Sequence, residues 1–111
     1  MNRLLILSIT TIFLLINNFT LPAMAADINH GAEIFSIHCA GCHINGGNII
    51  RRGKNLKKPA LEKYGMNTIE AVTSIVTNGK NNMSAYQDRL TPEEIQAVGY
   101  YVLQQAETGW R

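Results

Sequence analysis

The chain is 111 residues long, and its ten Lys and Arg against eight Asp and Glu leave a formal charge of +2. That length holds one domain at most. So even a balance, with no run of like charge longer than Arg51-Arg52 or Lys57-Lys58, gives no argument for a nucleic-acid binder, where a clustered basic face is expected. Both pairs read as solvated loop positions rather than as a docking patch.

The chain opens with Met1-Asn2-Arg3, an almost unbroken apolar run from Leu4 to Ile16 and, after a polar stretch, Ala23-Met24-Ala25. One positive charge, a short apolar stretch and a small-x-small triplet are the parts of a secretory signal peptide. A membrane span needs ~20 apolar residues, more than the run supplies. Residues 1–25 are therefore read as a signal peptide cleaved after Ala25, and residues 26–111 as the mature domain, with no membrane anchor left. No arginine pair precedes the apolar run, so export of an unfolded chain is expected. Losing Arg3 lowers the formal charge by one. A domain this small builds a modest core and generally needs a staple.

Four helices are predicted in the mature domain. The first runs from about Asp27 to Cys39 and carries Gly31 and Phe35 on one face at i, i+4 spacing. The second is short: Pro59 suits a first helical position and Gly65 suits the stop after Tyr64. The third opens at Asn67 or Thr68, carries Ile69, Val72, Ile75 and Val76, and ends at Asn78-Gly79. The fourth opens with Thr91-Pro92-Glu93-Glu94, which supplies a capping hydroxyl, a proline at the first position and a glutamate at the third. It sets Ile95, Val98, Gly99 and Val102 on one face. Gly31 and Gly99 lack side chains, so each lets another helix approach its backbone, with Phe35 and Tyr101 packing beside the crossing. No segment alternates as a strand does, no internal repeat is visible, and the fold class is all-α.

Between the first two helices stands Cys39-Ala40-Gly41-Cys42-His43. A disulfide over so short a span removes little unfolded-state entropy. A thioredoxin-like pair needs a strand before it, where a helix is predicted. Zinc wants four ligands, and there is no second cysteine pair. Cys-x-x-Cys-His is the attachment signature of c-type haem: the two thiols add to the vinyl groups and the next histidine reaches the iron. Haem also answers the shortage of core, as a large apolar disc tied at two points. For the other face of the iron the mature chain offers His30, His38, Met66 and Met83. His30 and His38 lead into the motif on short tethers and read as surface or helix-packing residues. Met66 reads by default as a core filler. Met83 sits in the polar loop from Asn78 to Tyr86 with no apolar stripe to belong to, and a Met/His pair raises the reduction potential. Met83 is the favoured sixth ligand and Met66 the alternative.

With these placed, the mature chain resembles the cytochrome c6 family of cyanobacteria and algal plastids. The resemblance rests on Gly31–Ser36, Cys39–His43, Leu56-Lys57-Lys58, Met66–Ala71, Asn78–Asn81, Met83, Tyr101-Val102-Leu103 and Gly109-Trp110. It implies a class I cytochrome c fold of about four helices around one covalent haem c, with His43 and Met83 as axial iron ligands. It implies a shuttle in the thylakoid lumen from the cytochrome b6f complex to photosystem I, and in cyanobacteria to the terminal oxidase; a bacterial periplasm is the other compartment export allows. Asn48 matches a family asparagine near the haem, and Arg89 the arginine taken to help docking on the photosystem. The chain departs from the family in three places. Thr77 stands where glutamine is typical, Ser84 follows Met83 where proline is usual, and the loop from Ile49 to Asn55 is more basic. These departures read as those of a c6-like paralogue of lower potential.

With both faces of the iron filled by protein, an electron passes with little rearrangement and no substrate binds. The chain is expected to be a single-electron carrier and not an enzyme, a monomer meeting its partners in brief, small contacts. One rival is a peroxidase-like haem enzyme, with an open iron face and His30 or His38 above it. Another is a haem subunit fixed in a larger complex.

Overall fold

The computed structural model describes residues 21–111, with side chains from Asp27 onward. The predicted signal peptide thus lies outside the described residues up to position 20, and positions 21–25 are described as helical backbone only. Helix α1 spans Leu21–His38 and so begins before Asp27, where the sequence pattern placed its start. The reason is local. Ala23-Met24-Ala25-Ala26 are strong helix formers, and Pro22 falls in the first turn, where its missing N–H costs nothing.

Helix α2, Lys58–Lys63, carries Pro59 in its first turn, and the chain leaves it through Gly65 at φ +66. Helix α3, Ile69–Asn78, is capped by Thr68, whose hydroxyl accepts the Ala71 N–H at 3.1 Å. Gly79 at φ +70 ends it, in the left-handed region that glycine tolerates best. Helix α4, Pro92–Thr108, has a reciprocal cap. The Thr91 hydroxyl accepts the Glu94 N–H at 3.1 Å, and the Glu94 carboxylate accepts the Thr91 N–H at 3.0 Å. The described residues contain no strand, only an isolated bridge between Lys80 and Met83.

The core joins α1, α3 and α4 through Phe35, Val72, Val76, Ile95, Val98 and Val102. Gly31 lies so close to α4 that a Cβ there would stand 2.2 Å from the Ala97 carbonyl oxygen. Gly99 serves a different neighbour, because a Cβ on it would meet Ile69 and Thr73 of α3. Phe35 and Tyr101 do pack beside the α1–α4 crossing, with ring centroids 5.4 Å apart. Trp110 completes this aromatic group at 5.1 Å from Phe35 and donates from Nε1 to the Leu56 carbonyl at 3.0 Å. Its ring lies over Gly46, where a Cβ would fall 2.5 Å from it. The C-terminus thereby holds down the turn that follows His43.

Candidate functional site

Beyond the last residue of α1 the chain keeps turning. The Cys39 N–H donates to the Phe35 carbonyl and the His43 N–H to the Cys39 carbonyl, both at 2.9 Å. Cys39 and His43 therefore sit one turn apart on the same side. A short 3₁₀ turn, Ile44–Gly46, follows, with Asn45 and Gly46 both at positive φ. It brings the Gly47 carbonyl back to 2.8 Å from His43 Nδ1. A carbonyl only accepts, so Nδ1 carries the proton and Nε2 keeps its lone pair for a metal.

The two cysteines differ. Burial pushes the Cys39 thiol up to about 11, whereas Cys42 is exposed. The attacking thiol of a disulfide-exchange pair is shifted the other way, toward thiolate. Cys39 is thus poorly suited to attack in disulfide exchange, and both cysteines are placed to anchor a group in the adjoining cleft. That cleft has a volume of about 330 Å³, and Cys39, Cys42, His43 and Met83 all line it. Val72, Val76, Val98 and Val102 give it an apolar floor shared with the core. Imidazole, thioether and two thiols around an apolar slot form the donor set that haem requires. A larger cavity of about 780 Å³ lies between α2 and α4, but no His, Cys or Met lines it.

Met66 lines the same cleft as Met83, so both methionines predicted as candidates are brought to the site. His38 lines it as well, with its ring edge-on to Tyr86 at a centroid distance of 5.9 Å. His30 does not; it lies exposed, 3.9 Å from both Glu33 and Glu94. Asn48 borders the cleft and organises the loop beside it. Its Oδ1 accepts the Ile50 and Arg51 N–H groups at 3.0 and 2.8 Å, and its Nδ2 donates to the Lys54 carbonyl at 2.9 Å. One Nδ2 hydrogen remains for a cofactor. Arg89 is exposed, with its guanidinium 4.6 Å from the centre of the Tyr86 ring. Sequence reasoning assigned no role to Tyr86, Arg51 or Lys54, all of which border the cleft. The signal available was the basic loop itself, which read as merely solvated.

An all-helical domain with a Cys-x-x-Cys-His turn, a tautomer-fixed histidine and an apolar slot defines a small c-type cytochrome. A family model described as cytochrome c oxidase, cbb3-type, subunit III matches residues 26–102. A cytochrome c6-like protein of Nostoc sp. (strain PCC 7120) is 61% identical over 111 residues, covering 100% of each chain. Cytochrome c6 of the same organism is 52% identical over 93 residues, 84% of each chain. The crystal structure of cytochrome c6C from Synechococcus sp. PCC 7002 superposes with a TM-score of 0.69 at 64% identity, covering 71% of this chain and 96% of that one.

The chain belongs to the cytochrome c6-like family, with the all-α fold of class I cytochromes c. It carries one covalent haem c with its iron, and the family consists of electron carriers, not enzymes. Among the described residues no helix is long and apolar enough to cross a membrane.

Proposed function

We propose that this chain is a c6-like paralogue: a single-electron carrier of lower potential than a standard cytochrome c6, with His43 and Met83 as its axial ligands. The observation that carries the reading is Thr77. Where the family typically has an amide, this hydroxyl donates to the Thr73 carbonyl of its own helix at 2.7 Å and does not line the cleft. The higher identity to the c6-like protein than to the c6 of the same organism supports it.

Bound haem supplies a one-electron ferric–ferrous couple. The residues of this chain do the rest. Cys39 and Cys42 tether the group, and the Gly47 carbonyl holds the His43 ring in one tautomer and orientation. Asn48 keeps one amide hydrogen for the cofactor, and the valine floor excludes water from it. Residues 1–25 direct export to a thylakoid lumen or periplasm and are cleaved after Ala25; the start of the family match at residue 26 supports this. The mature protein is a monomer that meets its partners transiently.

A second reading is the standard shuttle from the cytochrome b6f complex to photosystem I, with the terminal oxidase as another acceptor. The exposed Arg89 favours it. Redox potentiometry on the purified holoprotein decides, followed through the weak far-red absorbance band of a ferric methionine ligand. The expected result is a band that Met83→Ala removes, with a potential below that of a standard c6. Rapid reduction of photosystem I at a standard potential would overturn the paralogue reading. Immediate binding of carbon monoxide by the ferrous protein at neutral pH would reveal an open iron face and overturn the assignment of Met83.

A further inference from the structure

The loop that carries Met83 is fastened at three places. The Lys80 N–H donates to the Met83 carbonyl at 3.0 Å and the Met83 N–H to the Lys80 carbonyl at 2.9 Å, closing a tight turn with Asn81 at φ +53. Beyond it, the Tyr86 N–H donates to the Val76 carbonyl near the end of α3 at 2.9 Å. Both fastenings are backbone to backbone, and both tie the loop to itself or to α3. Neither reaches the side of the cleft where the cysteines stand.

The third fastening does. Tyr86 Oη donates to the His38 carbonyl at 3.0 Å. His38 is the last residue of α1 and the immediate neighbour of Cys39. Carbonyls at a helix C-terminus lack intrahelical partners, so this acceptor is open to an outside donor. The ring that delivers the hydroxyl is itself held. His38 stands edge-on to it at 5.9 Å, and the Arg89 guanidinium lies 4.6 Å from its centre. Tyr86 also borders the cleft, so the bond spans from the ligand loop to the attachment helix.

We propose that Tyr86 is a positioning residue, whose hydroxyl straps the Met83 loop shut against the helix that holds the cysteines. The loop has need of a strap, because Ser84 follows Met83 and leaves φ free where proline would fix it. The inference rests on Met83 being the iron ligand. A strap of this kind keeps the thioether in place without touching it. It also sets how easily an outside ligand displaces it.

The test is imidazole titration of the ferric holoprotein, followed through the far-red methionine band. Imidazole can bind only when the loop opens. Tyr86→Phe keeps the ring and its packing and removes only the hydroxyl. The variant is expected to show the full band without imidazole and to lose it at about fivefold lower imidazole than the unaltered protein, the net worth of one neutral hydrogen bond. Tyr100→Phe, which alters an exposed tyrosine outside the cleft, is expected to leave the midpoint unchanged. An equal midpoint for Tyr86→Phe and the unaltered protein, with the band intact in both, would overturn the strap alone. Absence of the band from the unaltered protein would overturn the ligand assignment and the strap with it.

Discussion

Thr77 shows how much one side chain decides at this site. Its hydroxyl is spent on the Thr73 carbonyl at 2.7 Å and the residue does not line the cleft, so the position offers the cleft no donor. An amide N–H directed at the cofactor would place the positive end of a dipole beside it and favour the reduced, less positive state. Thr77→Gln is therefore expected to raise the reduction potential. One hydrogen bond worth ~1 kcal/mol corresponds to roughly 40 mV for a one-electron couple. Thr77→Val removes the hydroxyl without adding a donor and should leave the potential where it is. Potentiometry on the two variants separates the contributions: a Val variant that moves the potential as far as the Gln variant would show that the hydroxyl itself matters.

At the scale of elements, the end signals do most of the work. Thr91 and Glu94 cap α4 reciprocally, Thr68 caps α3, and Pro59 and Gly65 bracket α2, each where the local chemistry of the sequence placed it. Thr91→Ala should cost ~1 kcal/mol in denaturant unfolding. The cap also has a pH dependence of definite sign. The Thr91 N–H holds the Glu94 carboxyl below its ordinary range. Its stabilisation is complete above the unfolded carboxylate pKa and is lost as acid protonates Glu94 through the lower folded value. Glu94→Gln, which removes the titrating carboxylate, should accordingly narrow the gap in stability between neutral and acid pH. Packing partners were less legible than ends. Gly31 and Gly99 both read as close-approach positions, but one admits α4 and the other α3, and sequence spacing carries no record of which neighbour arrives. Gly31→Ala should destabilise by about 1–3 kcal/mol, because backbone must move to admit the new carbon. Gly53→Ala, with open space around it, should stay within about 0.5 kcal/mol. The site divides in the same way. Cys39, Cys42, His43, Asn48 and Met83 announce themselves by motif or position, and all line one cleft. Tyr86 and Lys54 do not, because their roles depend on a hydrogen bond or a boundary that only the folded chain creates.

The whole molecule is nearly neutral by count and strongly divided in space. Residues 51–63 hold six of the ten Lys and Arg and a single acid, Glu62. Five of the eight acids instead lie on α1 and α4: Asp27, Glu33, Glu93, Glu94 and Glu107. Arg51, Lys54 and Lys80 border the cleft, and among the described residues no acid does. Ile49 and Ile50 stand beside the two loop cations at 60% and 54% exposure, an apolar skin on a positive lip. Encounter rates follow the field at the approach surface rather than the net charge. Small inorganic oxidants of opposite sign probe that field directly. With the reduced holoprotein at low ionic strength, ferricyanide should react faster than its driving force alone predicts, and tris(phenanthroline)cobalt(III) slower. Raising the salt from about 0.01 to 0.1 M shortens the Debye length from ~30 to ~10 Å. Over that range the ferricyanide rate should fall by roughly tenfold, at the low end of electrostatic steering. Arg51→Glu with Arg52→Glu removes most of the positive charge of the lip, since Lys54 and Lys80 remain, while leaving the valine floor and both candidate ligands untouched. In that variant the ferricyanide rate should start lower and change little with salt. A rate as flat with ionic strength in the unaltered protein as its small net charge would give would mean that electrons enter away from this lip. A partner chosen for an acidic face would then have no advantage. A steep fall that the double variant flattens would make the basic loop, the departure from the family whose arginine pair first read as solvated, the surface that selects the partner.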